Sequence, residues 1–113
     1  MMEYQETLTL LKELGWEEDG WWNGRRLFIL TVEGKVSKYG LLEHFGVGIT
    51  APGDEFVYCE MTEAEIREFT EILTERLTIE AHPDGHKLME LYKSRNRMSA
   101  FMRRMRNKKG NEE

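Results

Sequence analysis

Cysteine is nearly absent from this chain. Cys59 is the only one among 113 residues, so neither an intramolecular disulfide nor a cysteine-rich zinc site can form within one molecule. Long apolar runs are missing too. The longest, from Leu27 to Val32, is broken by Thr31 and falls far short of the roughly 20 residues needed to span a bilayer. The opening Met1-Met2-Glu3-Tyr4-Gln5-Glu6 has neither a basic stretch nor an apolar one, so no secretory signal is read there and a cytoplasmic location is expected. Serine occurs only at positions 37, 94 and 99, with no G-x-S-x-G elbow and no phosphate-binding P-loop. Gly46-Val47-Gly48 lacks the third glycine of a dinucleotide fingerprint. These absences argue against a serine hydrolase, a nucleotide enzyme and a disulfide scaffold.

What is present suits one folded domain. Hydrophobic residues make up 40% and charged residues 33% of the chain, a balance that supports a core rather than disorder. Tyr4, Leu8, Leu11 and Leu14 fall at steps of four and three and predict a first helix. Gly15 is its stop, and Trp16 is expected to pack back on Leu10 or Leu11. From Trp21 onward, turn signals at Asn23-Gly24, Glu33-Gly34 and Pro52-Gly53-Asp54 separate β-branched and aromatic runs. They predict an antiparallel meander with strands at 21–22, 25–32, 35 to about 41, 45–50 and 55–60. The second strand is apolar on both faces, which calls for cover on each, from helices or from a second subunit. Thr62-Glu63-Ala64-Glu65 has the form of a capping box, with Met61 and Ile66 as its hydrophobic staple. The helix it opens should run to about Leu77, burying Ile66, Phe69, Leu73 and Leu77.

A last helix is predicted over 86–107, with Leu88, Leu91, Met98, Met102 and Met105 on one stripe. Tyr92 and Phe101 are placed at its margins, and Arg95 interrupts it. At 1.5 Å per residue it is about 33 Å long, so part of it is expected to project. Residues 108–113 are read as a frayed tail. The fold class is therefore α+β within a single domain over 1–107: an N-terminal helix, a meander of four to five strands, and two C-terminal helices, the last long, basic and amphipathic.

Charge is segregated along this order. Residues 1–80 hold 7 Lys or Arg against 17 Asp or Glu, giving −10, whereas residues 81–113 hold 9 against 4, giving +5. Lys93, Arg95, Arg97, Arg103, Arg104 and Arg106 make the last helix a candidate binding face. Such a helix suits phosphates, an acidic groove on a protein, or anionic lipid. Glu63, Glu68, Glu71 and Glu75 form a candidate acidic face that could stand in for nucleic-acid phosphates. The plainer account is that each face is solvated, or that the basic helix lies against the domain's own acidic surface.

Three further sets of residues carry potential chemistry. His82, Asp84 and His86 have zinc-binding residue types, although Pro83-Asp84-Gly85 also makes a good turn. Glu33-x-Lys35, with Asp19 upstream, has the makings of a two-carboxylate metal site, but Glu33-Gly34 reads better as a hairpin turn. Trp21 and Trp22 alternate on a short strand, and the exposed one is an interface candidate. Together these readings point to a non-catalytic binding protein, with no cofactor. It would modulate a nucleic-acid-handling protein assembly through charged surfaces, as a phage or mobile-element inhibitor could. Direct nucleic-acid binding by the last helix and a small metal-dependent hydrolase or nuclease are the alternatives, and a homo-oligomer could use the two-sided strands.

Overall fold

The computed structural model describes residues 4–22, 24–37, 40–44, 48–50, 61–82 and 88–112. The first apolar repeat forms α1 (Tyr4–Glu13). The helix closes as its sequence predicts: Leu14 N donates to Leu10 O at 3.0 Å and Gly15 N to Lys12 O at 3.2 Å. Gly15 takes a φ of +98°, a conformation costly for a residue with a Cβ. The centre of the buried face is Thr7, Leu10 and Leu11, with Leu8 and Leu14 at its edge. Trp16 does not end its role at the helix cap. It opens β1 (Trp16–Trp22) and stacks on Phe69 with ring centroids 6.0 Å apart. Its Nε1 donates to Thr70 Oγ1 at 2.8 Å, and that hydroxyl donates to the Ile66 carbonyl at 2.7 Å. A buried indole N–H is thus satisfied, which removes the penalty of leaving it dry and unpaired.

Four antiparallel strands follow the order β1-β2-β4-β5, where β2 is Arg25–Val32, β4 Leu41–His44 and β5 Gly48–Thr50. β1 starts at Trp16 rather than at Trp21, because pairing with β2 overrides the weak strand propensity of Glu17-Glu18-Asp19-Gly20. Those charges lie on β1, an edge strand among the described residues, where they discourage pairing with another chain. Between Glu18 and Trp21 the register slips at a bulge, with Gly20 at a φ of +80°.

After β2, Glu33 and Gly34 take φ values of +49° and +82°, the two left-handed positions of a type I′ hairpin turn. This turn leads into the two-residue β3 (Lys35–Val36). The predicted strand to Leu41 is divided there. Thr31 pairs Val36 and Phe28 pairs Leu41, so three steps on β2 face five on its partner. Ser37 bridges the step by donating N–H to Leu30 O at 2.8 Å and accepting from Leu30 N through Oγ at 3.3 Å. At Gly40 a Cβ would come within 2.8 Å of Leu27 Cδ1 and 2.9 Å of Phe28 O, so no larger residue fits this approach to β2. The predicted strand at 55–60 and the turn at 52–54 lie outside the described residues.

Glu33 is the one described non-glycine residue with positive φ. Its carboxylate lies 2.7 Å from His82 Nε2, but both side chains are about half exposed or more, so that contact contributes well under about 1 kcal/mol. Relief of left-handed strain contributes about 1 kcal/mol. Glu33→Asn should therefore raise the melting temperature by about 2 °C. A fall on thermal unfolding would show that the His82 contact outweighs the strain.

The core lies on one side of the sheet. A single cluster joins Trp16, Phe28, Leu30 and Leu41 to Leu10 and Leu11 of α1 and to the inward faces of the two C-terminal helices. On the opposite face Leu42, the partner of Leu27, is buried, Leu27 and Ile29 are half-buried and Thr31 is exposed, while the described helices pack in the cluster on the other side.

α2 (Glu63–Ala81) starts with the predicted capping box: Thr62 N donates to Glu65 Oε1 at 2.8 Å and Glu65 N to Thr62 Oγ1 at 3.2 Å. Met61 and Ile66 are both buried, as a staple requires. The helix passes Leu77 because nothing breaks it before Pro83, and His82, the residue ahead of that proline, leaves helical geometry at φ −122° and ψ 69°. Phe69 sits at the centre of the core, between Trp16 and Phe101, whose ring centroid lies 5.2 Å away.

α3 (Leu88–Glu112) continues past Asn107, and its inward line is Ser94, Met98, Phe101 and Met105. That spacing of four, three and four is a seven-residue repeat suited to a second helix. Phe101 moves from the expected margin to the centre, Tyr92 points outward, and Arg95 is exposed because Ser94 takes the inward position. Glu75 meets Arg97 and Glu68 meets Arg104, so α3 runs antiparallel to α2, seven residues forward for seven back. The same register sets residue 109 level with Glu63, so most of α3 lies along α2.

The Ser94 hydroxyl is fully buried and has no hydrogen-bond partner among the described residues. A dry, unpaired hydroxyl costs about 1–3 kcal/mol, and alanine also has the higher helix propensity. Ser94→Ala should raise the melting temperature by several degrees, roughly 4 °C per kcal/mol in a chain of this size. A decrease in calorimetry would mean that the hydroxyl has a partner after all.

Candidate charged interaction surface

The basic residues of α3 divide into two groups by their position around the helix. At 100° per residue, Arg97 and Arg104 fall on the flank of the buried line that faces α2. Arg97 bonds Glu75 and also lies 3.6 Å from Glu71, and Arg104 bonds Glu68. The guanidinium of Arg104 also lies 5.5 Å from the Phe101 ring centroid and roofs it. Its pKa is raised above the usual arginine value, first by the hydrogen bond to Glu68, which outweighs the opposing effect of burial, and further by the charges of Glu68 and Glu65. These pairs are 37–74% exposed, so each is worth about 0–1 kcal/mol. Their importance is in what they occupy. Glu68, Glu71 and Glu75 are engaged by α3, and Glu63 by Arg67 at 3.1 Å, so all four carboxylates of the candidate acidic face already have a cation of the same chain beside them.

The second group faces the other way. Arg95, Arg103 and Arg106 are exposed, and with Tyr92 and Ser99 they fall within about 80° of the helix circumference. Among the described residues none of these three arginines, nor the exposed Lys93, has an ion pair. The stripe extends about 21 Å from Tyr92 to Arg106. Sequence reading found its arginines but not Tyr92, which is 61% exposed. The available signal was its spacing of three, seven, eleven and fourteen residues from Arg95, Ser99, Arg103 and Arg106.

The other candidates are dispersed. Trp21, 64% exposed, carries Arg26 over its ring at 5.7 Å, and Arg26 Nε lies 3.3 Å from Glu18 and 3.5 Å from Glu43. This is an exposed indole with a cation on one face, on the edge strand. Only the backbone of Trp22 is described. A cleft of about 400 Å³ is floored by Leu8, Leu11, Trp16 and Phe28 and rimmed by Lys12, Glu17, Glu18 and Arg26. Among the described residues neither histidine nor serine lines it.

Asp19 sits at the β1 bulge opposite Leu27, while Glu33 lies past the far end of β2. Six residues of strand separate them by about 20 Å, too far to share a metal. His82 faces Glu33, and Asp84 and His86 lie outside the described residues. Among the described residues no group of three His, Cys, Asp or Glu is placed to hold a metal ion, and no helix is long and apolar enough to cross a membrane. In comparisons with known proteins, no family model, no curated protein and no solved structure matches the chain.

Proposed function

We propose that this chain is a non-catalytic binding protein that attaches to a nucleic-acid-handling assembly by laying the outer stripe of α3 on nucleic-acid phosphates. The observation that carries this reading is the division of the arginines. Arg97 and Arg104 neutralise α2, while Arg95, Arg103 and Arg106 remain exposed and unpaired among the described residues. Exposed guanidinium groups in a row suit a polyanion, because each can donate two hydrogen bonds to one phosphate.

Two other uses of a basic amphipathic helix are disfavoured. Insertion into lipid, or into an apolar groove on a protein, would need the face made by Met98, Phe101, Met102 and Met105, and those side chains are 1–7% exposed in the core. Mimicry of phosphates by the acidic face is weakened as well, since its four glutamates, though exposed, are already paired with arginines of α3 and with Arg67.

The test is fluorescence anisotropy with a labelled oligonucleotide over a salt series. Three phosphate contacts predict a slope of log affinity against log salt of about −2 on single strands and nearer −3 on duplex. Absence of binding at low salt would refute the reading and leave the stripe to an acidic protein.

A further inference from the structure

Resting on that reading, we infer that the outer stripe of α3 takes single-stranded rather than duplex nucleic acid, with an unpaired base stacked on Tyr92. The stripe is one residue wide: Arg95, Ser99, Arg103 and Arg106 follow Tyr92 along about 80° of the helix and about 21 Å of its length. One strand can track such a line. A duplex offers two phosphate rows and meets more of the surface around the line, which belongs to a body whose first 80 residues carry −10. The long-range field of that body opposes the denser polyanion more strongly.

Tyr92 supplies the second element. Its ring is 61% exposed and has neither a ring contact nor a hydrogen bond among the described residues. Arg95 stands one turn further along the same face, so a base on the ring places its phosphate near a guanidinium. Bases are available to stack in this way only when they are unpaired, and a flat ring beside a cationic track is the general means of holding single strands without reading their sequence.

The experiment uses the full chain, a labelled oligothymidylate of about twelve nucleotides and a duplex of the same length, titrated at low salt. The single strand is expected to bind at least about tenfold more tightly. Tyr92→Ala should weaken it about 5- to 100-fold while leaving duplex affinity unchanged, and Tyr92→Phe should retain wild-type affinity, since stacking needs the ring and not the hydroxyl. Equal or tighter duplex binding, or a Tyr92→Ala variant with unaltered single-strand affinity, would overturn the inference while leaving phosphate binding by the stripe intact. Failure of both probes to bind would remove the phosphate reading and this inference with it.

Discussion

Replacing Phe69 by alanine should lower the melting temperature by roughly 15 °C, the largest stability effect expected of any single substitution in this chain. The ring is fully buried between Trp16 at 6.0 Å and Phe101 at 5.2 Å, so its loss opens a cavity that touches the sheet, α2 and α3 together. Truncation of a buried phenylalanine costs about 3–5 kcal/mol, and loss of two aromatic contacts puts this site towards the upper end. Domains of this size are stable by only about 5–15 kcal/mol, so the variant should be partly unfolded at physiological temperature. Phe69→Leu, which keeps most of the volume, should recover at least half of the loss. Thermal unfolding followed by circular dichroism measures both. A shift of only a few degrees for the alanine variant would mean that α3 is not fixed to the sheet through this stack.

The second large effect concerns binding. Arg95→Glu, Arg103→Glu and Arg106→Glu combined should reduce oligonucleotide affinity by more than about 100-fold, since three attractive contacts become repulsive and each is worth on the order of 1 kcal/mol or more. The fold should survive, because these side chains are exposed and have no ion pair among the described residues. Lys12→Glu with Lys35→Glu is the control: it moves net charge in the same direction at exposed positions off α3 and should cost only a few-fold. Equal losses in the two variants would indicate a general charge effect and count against a specific stripe. The measurement is anisotropy at fixed salt, with melting curves taken in parallel.

Local patterns were readable from the residues alone. The Thr62–Glu65 box, the Gly15 stop and the Glu33–Gly34 turn are set by side chains and dihedrals within a few positions of one another, so no tertiary information was needed to find them. The class of the fold followed from the alternation of those local signals, and the separation of charge into an acidic body and a basic end is a property of the chain itself.

Other features depended on what each segment packs against. Glu17 to Gly20 reads as loop, and only the partner strand β2 makes it part of β1. Ser94 stands outside the predicted apolar stripe and Phe101 at its margin. The seven-residue repeat places both inward only once α2 is known to lie alongside, because a helix turning 3.6 residues at a time does not reveal which of two adjacent lines a neighbour will cover. The same uncertainty hid the split among the arginines, since Arg97, Arg103 and Arg104 are close in sequence and differ only in azimuth. Composition therefore determined that this chain has a basic helix and an acidic one. Tertiary packing alone decided which charges neutralise each other and which remain exposed, because an ion pair forms only where two helices bring opposite charges within about 4 Å.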